Sequence, residues 1–111
     1  MTSGQFNAEA DGVVRLSRGT FDPGRYAEIQ QVRNEAGSYL IPAIRELAGL
    51  NAYFAGASPS GSMINVSLWD TLEHADQVSR LPEMAVRARN DLARLDMSFI
   101  PIVNYPIGWR I

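Results

Sequence analysis

The sequence predicts an α+β domain, one antiparallel sheet with its helices on a single face. Three observations predict it. Four stretches alternate with period two, a long apolar stripe at helical spacing follows the first of them, and a Pro-Ser-Gly turn joins the middle two. The order is strand, helix, strand, strand, helix, strand.

Met1 to Asp11 is rich in small and polar residues and reads as a flexible N-terminal tail, leaving 12–111 as one domain. The first strand runs from about Gly12 to Phe21, with Val14 and Leu16 on one face and Val13, Arg15 and Ser17 on the other. Asp22-Pro23 signals a helix start, Asp as N-cap and Pro at the first helical position. Tyr26, Ile29, Val32, Ala36, Tyr39 or Leu40, Ala43 or Ile44, and Leu47 then form one apolar stripe. Pro42 falls inside it and is expected to kink the helix or split it near Leu40. Gly49 ends the element as a left-handed cap.

Leu50 to Ser58 is the second strand, Ser58-Pro-Ser-Gly61 a tight turn, and Ser62 to Trp69 the third strand. Asp70 with Glu73 fits a capping box opening a helix toward Arg80. Leu81-Pro82 interrupts that helix, and another runs from about Glu83 to Leu95, with Met84, Ala88, Leu92 and Leu95 on its apolar side. Ser98 to Tyr105 is the last strand. Right-handed crossovers turn this order into the ferredoxin-like βαββαβ arrangement, a four-stranded antiparallel sheet with helices on one face.

Composition excludes several chemistries. The 111 residues contain no cysteine, so disulfides, thiolate metal sites and a cysteine nucleophile are ruled out. All ten basic residues are arginines, which removes Schiff-base chemistry but leaves planar anion recognition. His74 is the single histidine, so no multi-histidine metal site fits in one chain. A net charge of −2 without a basic element argues against nucleic acid. No stretch approaches the roughly 20 apolar residues of a membrane span, and the N-terminus lacks a signal-peptide pattern. A cytoplasmic protein without membrane attachment is expected.

The third strand carries most of the functional information. Ile64, Val66 and Leu68 share one side, an aliphatic row that suits a helix layer. Asn65, Ser67 and Trp69 share the other, a mixed row expected of a surface that meets a partner or ligand. The helix-free face would then carry Val13, Arg15, Asn65, Ser67 and Trp69 with alternate residues of the last strand. Such a patch is expected to be covered by a second copy of the chain, enclosing a partly polar pocket.

The element order, the Ala48-Gly49-Leu50 helix end and the run Asn65-Val-Ser-Leu-Trp69-Asp-Thr-Leu-Glu73-His74 together resemble the antibiotic biosynthesis monooxygenase-like family of the dimeric α+β barrel superfamily. The resemblance spans nearly the whole chain after the tail. It implies a homodimer with a cavity between sheet and helices of each half. There an Asn and a Trp four residues apart help bind aromatic, polyketide-like substrates, which react with oxygen without metal or flavin. By position these two are Asn65 and Trp69, the catalytic candidates, and no cofactor is implied. Relatives with no known activity share the Trp-acid-Thr pattern, so a non-catalytic ligand-binding or stress-response protein is the alternative, and a haem-degrading relative a further one.

The residues themselves allow the following. Asn65 can donate to a developing oxyanion, or satisfy a neighbouring strand. Trp69 can stack on a flat ligand, or anchor an interface. Ser67 shares their row. Either Tyr53 or Phe54 faces the cavity, because the hairpin register is open by one residue. Arg15 can hold an anionic ligand group, or pair with a carboxylate across the dimer. His74 can act as a base or haem ligand, or sit solvated in a first helical turn. No metal ligands stand out.

Overall fold

In the computed structural model, which describes residues 12–111, four strands make one antiparallel sheet. They are β1 (Val13–Thr20), β2 (Leu50–Ser58), β3 (Ser62–Trp69) and β4 (Ser98–Pro106), in spatial order β2-β3-β1-β4. The helices are α1 (Tyr26–Arg45), α2 (Leu72–Asp76) and α3 (Arg89–Ala93). This is the expected ferredoxin-like α+β arrangement. The expected tail, residues 1–11, lies outside the described residues.

Local chemistry explains most boundaries. Asp22 Oδ1 accepts from the Gly24 amide at 2.9 Å, capping a 3-10 turn, Pro23–Arg25, that leads into α1. Ile29, Ala36 and Ile44 of the apolar stripe are buried. Of the two outcomes expected at Pro42, a kink or a split, the split does not occur: α1 runs unbroken through it. Pro42 and Ser38, whose carbonyl loses its helical donor, are both exposed, so water can take the freed acceptor. The hairpin closes where Gly61, at φ 106°, donates its amide to Ser58 O at 3.0 Å.

The helix start after β3 also differs. Thr71, not Asp70, is the N-cap, its Oγ1 accepting from the His74 amide at 3.1 Å. Asp70 is drawn instead to the His74 ring, with Nδ1 2.6 Å from Oδ1. The segment to Arg80 divides into α2 and a 3-10 stretch, Gln77–Arg80. After Pro82 the chain winds as a π-helical stretch, Glu83–Ala88, before tightening into α3.

The two faces of the sheet are the reverse of the sequence expectation. Ladder partners share a face, so rows can be read across all four strands. One row is Tyr53-Ser67-Arg15-Asn104, and beside it lie Ala55, Asn65 and Ser17. These polar rows sit beneath the helices. The row Phe54-Val66-Leu16-Val103 and its neighbour Ala52-Leu68-Val14-Tyr105 lie on the open face. Phe54 is 62% exposed and Val103 42%. Alternation determines which residues travel together, whereas the helices' attachment determines which set is covered.

Candidate functional site

The layer between sheet and helices holds two apolar clusters. One gathers Phe21, Ile29, Met63, Leu92 and Met97, the other Val13, Trp69, Ala75 and Val78. The polar rows run between them, and where they run the layer opens into a cleft. A wide lobe of about 500 Å³ is lined by Arg33, Tyr53, Ala55 and Leu40 among others. A narrower lobe of about 180 Å³ is lined by Arg15, Ser17, Ser79 and Phe99. A small recess reaches Ser67 and Tyr53. Asn65 and Met84 line all three. The wide lobe alone is within the size range of small-molecule sites, and its walls are mainly apolar with a few convergent polar groups.

Each candidate has a definite place. Asn65, at the middle of β3 opposite Ser17 and Ala55, presents its side chain where the lobes meet. Tyr53 lines the cleft and Phe54 does not, which resolves the hairpin register. Burial pushes the Tyr53 phenol up to about 12, against the pull of Arg15 and Arg33, which favour its ionised form. It is therefore a neutral hydroxyl near pH 7, able to donate a hydrogen bond but not to act as a base.

Arg15 is 4% exposed and donates from Nη2 to Ser79 Oγ at 2.9 Å. Burial lowers its pKa, while Tyr53 and Asp76 oppose that shift. Asp76 is engaged elsewhere, its Oδ1 accepting from Asn104 Nδ2 at 3.1 Å. Pairing across a sheet-to-sheet dimer is excluded for Arg15, because it points under its own helices.

Trp69 is not on the cleft surface. It is fully buried, packed with Val13, Ala75 and Val78, and its indole N–H donates to Ser67 Oγ at 2.7 Å. It fixes Ser67, which does reach the recess, and so supports the floor of the cleft instead of stacking on a ligand. His74 lies outside the cleft, on the first turn of α2, held against Asp70. Its hydrogen bond is the main reason the Asp70 carboxyl is held below the ordinary carboxylate range. A base at the cleft or an axial haem ligand there is not what this histidine supplies. No group of three His, Asp or Glu side chains suited to a metal occurs among the described residues, and no described helix is long and apolar enough to cross a membrane.

Sequence reasoning did not pick out Arg33, Ser79 or Met84 as site residues. Arg33 sits on the flank of the apolar stripe of α1, next to Val32, and its burial against the sheet lowers its pKa. Its position one residue from the stripe was the available signal. Ser79 and Met84 depend on the 3-10 and π-helical windings around Pro82, which no periodicity announces.

No family model and no curated protein matches the chain. Solved structures do. A Deinococcus radiodurans protein, described as of the antibiotic biosynthesis monooxygenase kind, shares 21% identity over 89% of this chain and 95% of its own, with a TM-score of 0.68. A Streptomyces coelicolor monooxygenase, solved with nanaomycin D, gives 18% identity, 95% and 94% coverage and a TM-score of 0.67. SnoaB, a cofactor-independent oxygenase from Streptomyces nogalater, gives 15%, 92% and 98%, and 0.64. This chain has the antibiotic biosynthesis monooxygenase-like fold. At these identities the likeness extends to the fold, and the chemistry has to be argued from the cleft.

Proposed function

We propose that the protein is a homodimeric small-molecule enzyme, a cofactor-independent monooxygenase acting on an aromatic or polyketide-like compound in the sheet–helix cleft. The observation that carries this reading is the position of Asn65, a neutral amide where all three lobes meet. An electron-rich substrate such as an anthrone reacts with oxygen through its enolate. The methylene carbon loses two hydrogens, one oxygen atom becomes the new carbonyl oxygen and the other leaves in water. An amide N–H aimed at the forming oxyanion stabilises charge as it develops, in a cleft whose walls include the apolar side chains of Met84, Leu92 and Ile44. Tyr53 adds a neutral donor. The similarity in fold to SnoaB and to the S. coelicolor monooxygenase supports the same reading.

The open face supports the homodimer. Phe54, Ile64, Ile100, Val103 and Tyr105 are exposed on one side of a single sheet, and a second copy related by two-fold symmetry would bury them against the same set.

Oxygen uptake with anthrone as the probe tests the enzymatic claim. The wild-type protein is expected to consume oxygen, and Asn65→Ala to slow turnover by about 100-fold or more, the usual cost of losing one oxyanion donor. If neither anthrone nor hydroquinone substrates consume oxygen, the enzymatic reading fails and a ligand-binding protein remains.

A further inference from the structure

We propose that the cleft selects a planar aromatic ligand bearing an oxyanion, a carboxylate or ionised phenol, held by the Arg15 guanidinium in the narrow lobe with the rings in the wide lobe. This rests on the reading of the cleft as a small-molecule site and specifies what that site takes.

Arg15 is a buried cation whose protein hydrogen-bond partner is a neutral hydroxyl. Among the described residues no carboxylate forms an ion pair with it. Asp76 is near enough to be felt, but it is engaged by Asn104, the ladder partner of Arg15 on β4. A buried guanidinium normally brings its counter-charge with it, since desolvation without one is costly. Its planar fork suits the paired oxygens of a carboxylate.

The remainder of the cleft agrees. Arg33 lines the wide lobe, bonded through Nη1 to the neutral Gln30 Oε1 at 3.2 Å, again without an ion pair among the described residues. Ser17 and Ser79 add hydroxyls around the narrow lobe. No Asp or Glu lines either lobe. Four arginines, Arg15, Arg18 and Arg89 on the narrow lobe and Arg33 on the wide one, with neutral donors and no acidic lining residue, make a site whose polarity is one-signed. Burial also disfavours the charged form of Arg15, a tension that an anionic ligand would relieve.

Titration with anthracene-2-carboxylate and its neutral carboxamide, followed by ligand fluorescence, tests the inference. The wild-type protein is expected to bind the acid at least about ten-fold more tightly than the amide. Arg15→Met, which keeps the length and packing of the side chain, is expected to remove most of that preference, because acid binding weakens far more than amide binding. Arg15→Lys should retain part of it. Thermal unfolding guards against misfolding: free Arg15→Met should melt close to the wild-type temperature, because the buried charge it removes has no ion-pair partner among the described residues. Equal affinities for acid and amide in the wild type, alongside Asn65-dependent oxygen uptake from anthrone, would overturn this inference and leave the enzymatic reading standing. An undiminished acid preference in Arg15→Met would assign the guanidinium to Asp76 instead. Absence of binding by both ligands, with no oxygen uptake, would remove both proposals.

Discussion

Tyr53 illustrates how burial sets the chemistry a residue can perform. Its phenol is held neutral up to about pH 12, above the ordinary value of 10.0. A group whose folded pKa is raised contributes stability that is complete below the unfolded pKa and is lost as pH rises through the folded one. Unfolding free energy should therefore decline between about pH 10 and pH 12, and Tyr53→Phe should flatten that decline; denaturant titrations across the range check it. An identical alkaline slope in the variant would contradict the burial of Tyr53. At this scale the sequence was a good guide to which residues lie together and a poor one to the contacts they make. Asn65, Ser67, Arg15 and Tyr53 do converge on one cleft, because they alternate on paired strands. Trp69 was recognisable as a large aromatic with a single donor. Its donation to Ser67 inside the core depends on where α2 packs, which a strand pattern does not contain.

Among the elements, the junction between α1 and β2 is the most tightly specified. Gly49 adopts φ 78°, and a Cβ there would run into both the Asp70 carboxylate and the His74 ring. Gly49 O also accepts the Asp70 amide at 3.0 Å. Gly49→Ala is expected to lower stability by about 1–2 kcal/mol from the left-handed backbone alone. Separating Asp70 from His74 adds to that loss, read as a lower denaturant midpoint. An unchanged midpoint would mean the junction can shift freely. The strands, the hairpin turn and the left-handed backbone of Gly49 were legible because period-two alternation and turn residues act locally. But α1 ends at Arg45 with Glu46 as its cap, so Gly49 serves the turn into β2 and not the helix end. The continuity of α1 through Pro42 was not legible, since whether a freed carbonyl finds water depends on tertiary exposure. The choice of Thr71 over Asp70 as cap was equally hidden, because it turns on Asp70 having the His74 ring as another partner.

For the whole molecule, the apolar row that seemed made for helices lies on the open face instead. The polar row is the one the helices cover, and it keeps the two apolar clusters apart so that a cleft exists between them. In the proposed dimer both faces of the sheet are covered, so nothing requires its greasier face to lie under its own helices, and alternation alone cannot choose. In the proposed dimer Leu16 lies in the middle of the shared face, between Val66 and Val103. Leu16→Asp should convert a sedimenting dimer into a monomer with the cleft residues undisturbed. A wild-type protein that sediments as a single chain at micromolar concentration would remove the dimer.

The proposed ligand chemistry takes place under the helices, at Asn65. Side-chain amide and methyl resonances followed by NMR during titration with a dihydroxyanthraquinone test it most directly. The predicted result is that the Asn65 amide and the Met84 methyl shift together and saturate at one affinity, with Phe54 and Val103 unaffected. Shifts confined to the open-face residues, with Asn65 and Met84 unmoved, would contradict it.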